Sequence, residues 1–309
     1  MNFRVSVALF GFVLVLPLCG VEPASLTVID SAGKEVVVKT GRLTAGTRKL
    51  HWLEKDGKAP EALAFRETNS TGFKDGVLTF IPVERLEELH YDAAKMTVTA
   101  KVAGVENPLE GSTRYREINQ IALVAEVDRG TAGVVELTYR GGPLKGGIQG
   151  LKFTGAKSAP ALAGTPMFIQ VSDGKQKFAA ESVYDLRALY RLGKDGEKLA
   201  GHLMFRKTFK LELNQIKSLT VHENMETRNF ECDITLKDGS EQTLTLLPSI
   251  TLDGKNAVLE GLVGAVPAGF KLFPMHTIGA LSVEEPPKYD PKLKEQNKAP
   301  LPKPKPPTP

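Results

Sequence analysis

The chain has 309 residues, 41% hydrophobic and 25% charged, with a formal net charge of +4. Those proportions are near globular averages and exclude wholesale disorder or a membrane-embedded chain, while the length accommodates two domains. The charge sits at the ends: Arg4 carries +1 and residues 285–309 hold six Lys against three acids, so residues 21–284 sum to zero and lack the basic footprint of a nucleic-acid binder.

Residues 5–18 (VSVALFGFVLVLPL) form an uncharged apolar run of fourteen behind Arg4. That is short of the twenty or so residues needed to span a bilayer and fits a secretory signal peptide over residues 1–20, implying an exported chain that is periplasmic, extracellular or in the cell envelope. No transmembrane helix is expected in the mature chain. A minority reading is a lipid anchor at Cys19, because Leu16-Pro17-Leu18-Cys19 resembles a bacterial lipobox, although Leu18 stands where such motifs have a small residue. With Cys19 removed or modified, Cys232 has no partner for an internal disulfide and is expected to be a small buried hydrophobe.

From residue 25 onward the chain repeats itself. LAFRET (63–68) and IPVERLEEL (81–89) are answered by LMFRKT (203–208) and LELNQIKSL (211–219). WLEKDGK (52–58) meets RLGKDGE (191–197), and IQGLKF (148–153) meets IGALSV (278–283). The offset is 139 to 143 before residues 69–76 and 130 after them, so one insertion there accounts for most of the difference. Periodicity of this kind predicts two homologous modules, residues 21–154 and 167–284. Between them TGAKSAPALAGTP (154–166), small and broken by Pro160 and Pro166, reads as a linker over 155–166.

Within the modules, Asp-Gly pairs at Asp56, Asp75, Asp173, Asp195, Asp238 and Asp253 punctuate runs such as EVVVKT (35–40), KMTVTAKV (95–102), VVELTYR (134–140) and TLTLL (243–247). Alternating β-branched residues between hairpin turns predict an all-β, mainly antiparallel fold of two tandem β-sandwich or barrel-like modules. Residues 83–89 and 184–192 are the two stretches with any helical character, and a turn between strands explains the first equally well. Beyond residue 284 the composition changes abruptly, to nine Pro and six Lys in twenty-five residues, which predicts a disordered, extended tail over 285–309.

Catalytic signatures are not evident, and no catalytic, cofactor-binding or metal-ligating residue is assigned. His222-Glu223-Asn224-Met225-Glu226 has the first two letters of a zincin motif but Glu in place of the second His, in a segment that follows a strand. The glycine-rich GGPLKGGIQG (141–150) joins two strand patterns instead of feeding a helix, and reads as a hairpin loop. Glu84, Glu87 and Glu88 read as a charged, solvated edge. Trp52 lies where the second copy has Tyr190-Arg191, a pairing that marks Trp52 and Tyr190 as a candidate ligand surface, with core packing as the alternative. The functional expectation is a non-enzymatic binding or structural protein of the cell envelope whose partner is an envelope polymer or protein. An extracellular polymer-degrading hydrolase and a glycan-binding accessory module are the alternatives.

Overall fold

The computed structural model describes residues 26–283 except 31, 39, 46, 66–76, 93, 96, 113–121, 129–133, 141–148, 160, 172–180, 194–195, 207–208 and 225–228. The signal peptide, the lipobox and the proline-rich tail lie outside the described residues. The first half contributes β1 (Leu26–Ile29), β2 (Glu35–Val38), β3 (Thr40–Ala45), β4 (Thr47–Lys49), β5 (Glu61–Phe65), β6 (Leu78–Pro82), β7 (Leu86–Asp92), β8 (Thr97–Val102), β9 (Leu109–Ser112), β10 (Ala122–Asp128), β11 (Val134–Arg140) and β12 (Gly150–Phe153). The second contributes β13 (Met167–Val171), β14 (Glu181–Leu192), β15 (Gly196–Ala200), β16 (His202–Phe205), β17 (Phe209–Glu212), β18 (Ile216–Asn224), β19 (Asn229–Leu236), β20 (Glu241–Thr245), β21 (Ser249–Leu252), β22 (Lys255–Val266), β23 (Gly269–Pro274) and β24 (Ile278–Val283).

The fold is all-β and antiparallel, with two large sheets that stay open among the described residues. Local chemistry explains the hairpins. Asp56-Gly57 and Asp253-Gly254 both have positive φ at each residue (51° and 71°, 50° and 73°), the type I′ geometry whose twist matches the flanking strands. The stretches with helical character resolve into strand: residues 83–85 are one 3-10 turn leading into β7, and 184–192 lie in β14. Their apolar spacing arises because β14 is covered on both faces. Ala188 and Tyr190 enter the core of the second half, while Leu189 enters a different cluster.

One six-stranded sheet has the order β2-β1-β12-β7-β8-β9. The thirteen-stranded sheet contains, in the same sense, β14-β13-β24-β18-β19-β20. Register agrees as well: Leu89 pairs with Leu151 in the first sheet and Leu219 with Leu281 in the second, and a bulge falls two residues into β7 and into β18, after Leu86 and Ile216. Leu86, Leu89, Leu151, Ile216, Leu219 and Leu281 are all buried. The hairpins preceding these strands correspond residue by residue. Ala62↔Pro82, Leu63↔Ile81, Ala64↔Phe80 and Phe65↔Thr79 in β5–β6 match His202↔Glu212, Leu203↔Leu211, Met204↔Lys210 and Phe205↔Phe209 in β16–β17. The burial of the Phe65 side chain lies outside the description, so its expected match to the buried Phe205 is seen in the backbone only.

The halves are not simply strung in tandem. β6 pairs with β23 through Phe80↔Phe270, Thr79↔Lys271 and Leu78↔Leu272, so the larger sheet runs from the second half into β6, β5 and β4 of the first. Around this seam, Leu50, Ala62, Ala64 and Phe80 from the first half pack with Leu189, Val263 and Leu272 from the second. Val77 reaches the core of the second half, and Val105 and Leu109 pack against both main cores. The connecting segment 155–166 contains no strand among its described residues, and Lys157 fastens it to the first half through the Glu84 backbone carbonyl and carboxylate.

Candidate functional site

The richest gathering of charge and aromatic surface lies at the seam. The 3-10 turn His51–Leu53 sets Trp52 edge-on to Phe80, with ring centroids 5.5 Å apart at 69°. The Arg48 guanidinium from β4 lies 5.6 Å from the Trp52 ring centre and 5.4 Å from that of Phe80, the arrangement in which a cation gains from the ring quadrupole. Arg48 also contacts Glu197 of β15, and Glu260 of β22 lies 3.9 Å from it. Glu260 in turn meets Arg191 at 3.3 Å, so a chain of four charges crosses from one half to the other. Burial lowers the Arg48 pKa, Glu260 opposes that shift and Arg191 adds to it. A guanidinium so far above neutrality remains cationic regardless.

A second anchor lies at the other end of the seam. Arg85, buried at 5% exposure, donates to the carbonyl of Ala103 at 3.2 Å and to that of Pro267 in the β22–β23 turn. That turn depends on Gly269, whose φ is +151° and whose Cβ, if present, would stand 2.2 Å from the Phe80 carbonyl oxygen.

The expected ligand pair does not form a shared surface. Tyr190 is fully buried in the core of the second half, where burial pushes its phenol up to about 12. Trp52 is half-buried against the seam, and its equivalent by the sequence offset is Arg191, not Tyr190. The expectation for Tyr190 is therefore corrected to core packing. Its physical reason is plain alternation along β14: Ala188 and Tyr190 share the face that enters the core of the second half, while Leu189 on the opposite face meets the seam.

The remaining sequence candidates fall on exposed faces or in the core. Cys232 is buried and desolvation pushes its thiol up to about 12, so it carries no thiolate near neutrality. Glu84 pairs with Lys157 and Glu87 with Lys101, so the acidic residues form solvated ion pairs, not a carboxylate dyad. His222 lies on a strand, β18, whereas a zincin needs its two imidazoles on one helix face. Its Nε2 lies 2.8 Å from Asp233 Oδ2, and Thr243 Oγ1 donates to Asp233 Oδ1 at 2.6 Å. This Thr-Asp-His row crosses β20, β19 and β18 on an open sheet face. The Thr243 hydrogen bond, more than the His222 contact, lowers the Asp233 pKa, against the opposing effect of burial. Register places Thr99 and Asp92 of the first half at the positions of Asp233 and His222, so the row belongs to one half only. Among the described residues no group of three or more His, Cys, Asp or Glu is gathered as a metal site, and no helix is long and apolar enough to cross a membrane.

No protein-family model, curated protein or solved structure matches the chain.

Sequence reasoning missed the seam. Several of its residues have unlike counterparts at the same offset in the other half: Phe80 against Lys210, Arg85 against Gln215 and Trp52 against Arg191. An unlike residue inside an otherwise matching pair of segments was the available signal.

Proposed function

We propose that this is an exported, non-enzymatic binding or structural protein of the cell envelope, built from two duplicated β modules. The observation that carries the duplication is the common register, with Leu89–Leu151 and Leu219–Leu281 at the centre of two sheets of the same order. Fusion of the halves through β6 and β23 supports a binding or structural role, because it carries the larger sheet across both halves. The partner class is an anionic envelope polymer or an envelope protein, with the lysine-rich residues 285–309 supplying the net positive charge.

The test is co-sedimentation of the full chain, and of a chain ending at Glu284, with purified wall polymer at low and high ionic strength. Loss of binding by the truncated chain, or by the full chain at high salt, assigns attachment to the tail, since exposed charges are screened beyond about 8 to 10 Å at ordinary salt. Equal retention of both chains at every salt concentration assigns it to the folded modules. Retention of neither removes the proposal.

A polymer hydrolase is the second reading, favoured by the Thr243–Asp233–His222 row, since a catalytic group need survive in only one copy. Release of soluble fragments from wall polymer by the native chain but not by His222→Ala would establish it and displace the first reading.

A further inference from the structure

The seam is heterologous: it joins a β6-type edge of one half to a β23-type edge of the other, and such contacts propagate unless something stops them. Two edges of the same types are left over. The outer edge of β17, the counterpart of β6, pairs with no strand among the described residues, and β11, which occupies the place of β23 in the first half, is the edge of the sheet β11-β10-β3. Repetition of the seam between molecules would pair β17 of one copy with β11 of the next and build an open chain of copies.

The face that would meet the neighbour has been changed. In β5–β6 it consists of Ala62, Ala64 and Phe80, all buried in the seam. At the same register positions β16–β17 carries His202, Met204 and Lys210. Lys210 is half exposed and bonded to Glu212 at 2.8 Å, and it holds the His202 pKa down, second to burial. Pairing of this edge would strip water from both partners of the Lys210–Glu212 ion pair, a desolvation cost that the Phe80 seam does not carry, and Lys on an edge strand is a recognised block to strand addition. On the other face, Thr79 is 1% exposed beneath the completed seam whereas Phe209, its counterpart, is 41% exposed. An apolar residue survives there on an edge that is left open.

We propose that Lys210, with His202 beside it, is an assembly guard: it keeps the β17 edge of one molecule from pairing with the β11 edge of another and so limits the array to two modules per molecule. This rests on the module equivalence but not on any binding activity.

The test is sedimentation velocity of the full chain, without polymer, over a wide concentration range. The native chain should sediment as a monomer throughout, and the double variant His202→Ala/Lys210→Phe should show its average mass about doubling or more with concentration. Adding Glu136→Pro, which removes a backbone donor from β11, should return that variant to monomer. Lys198→Phe, an equally accessible lysine on β15, controls for adhesion of any added Phe and should stay monomeric. Self-association of the native chain, a double variant that remains monomeric with native circular dichroism, equal association by Lys198→Phe, or association that persists with Glu136→Pro would each overturn the proposal. Wall-polymer binding by the native chain is read in a separate assay, so either idea can fail without the other.

Discussion

The β5–β6 and β16–β17 hairpins have the same four cross-strand pairs and are each followed by a 3-10 turn, yet they live in different environments. The first is buried on both faces: Leu63 and Ile81 enter the core of the first half, and Ala62, Ala64 and Phe80 enter the seam. The second is buried on one face only, through Leu203, Phe205 and Leu211. The two hairpins thus share their backbone pairing while their outward residues differ with the neighbour each one meets. Likeness of strand register and likeness of surface are separate quantities, and these halves show only the first.

Substitutions at matched positions should expose that difference. Phe80→Ala should cost most, about 3 to 5 kcal/mol, because it removes a fully buried ring from the seam and leaves a cavity between the halves. Urea denaturation followed by tryptophan fluorescence reads this directly, since Trp52 lies against that ring. A cost below about 1 kcal/mol would mean that the seam is loosely packed. Gly269→Ala should follow at about 3 kcal/mol, since the new Cβ meets the Phe80 carbonyl and the φ of +151° is strained for an L side chain. Arg85→Met should cost about 1.5 to 3 kcal/mol through loss of charge-assisted bonds to Ala103 and Pro267. Its effect on hydrogen exchange should be concentrated at the β22–β23 turn.

Acid should separate the halves more gently. Asp233 has a pKa below its unfolded value, so over that interval the unfolded chain binds more protons and stability rises with pH. Its contribution is present above pH ~4 and is lost as pH falls through the depressed folded pKa. Because the carboxylate is more than half exposed, the effect should stay under about 1 kcal/mol. Asp233→Asn should flatten the acid limb of an equilibrium unfolding curve, whereas Thr99→Ala at the matched position should not. Smallest of all, Lys210→Ala should change stability by no more than about 0.5 kcal/mol in urea titrations, in contrast with Phe80→Ala at the same register position.

Fold class was legible because period-two alternation and Asp-Gly turns are local signals, and Asp56-Gly57 and Asp253-Gly254 adopt the turn those residues favour. The segment pairs aligned Leu89 with Leu219 and Leu151 with Leu281, but that Leu89 faces Leu151 and Leu219 faces Leu281 across neighbouring strands emerged only with the register. Tyr190 was misplaced because which face of β14 enters the core, and that its other face is covered as well, are set by strands remote in sequence and have no local signature. Phe80 looked like one more strand residue for the same reason: its partner, Phe270, is remote in sequence. The row from Thr243 to His222 spans three strands and likewise required the register before it became visible.

The β6–β23 ladder also dictates an order of events during synthesis. Phe80 waits for Phe270, 190 residues downstream, so the first half must emerge with Leu78 and Phe80 on an uncovered strand. At roughly 5 to 20 residues per second that interval is about 10 to 40 seconds. Ribosome-bound chains stopped before residue 269 would carry a sticky edge that the finished protein does not have, and two such chains side by side would be the species most prone to aggregate.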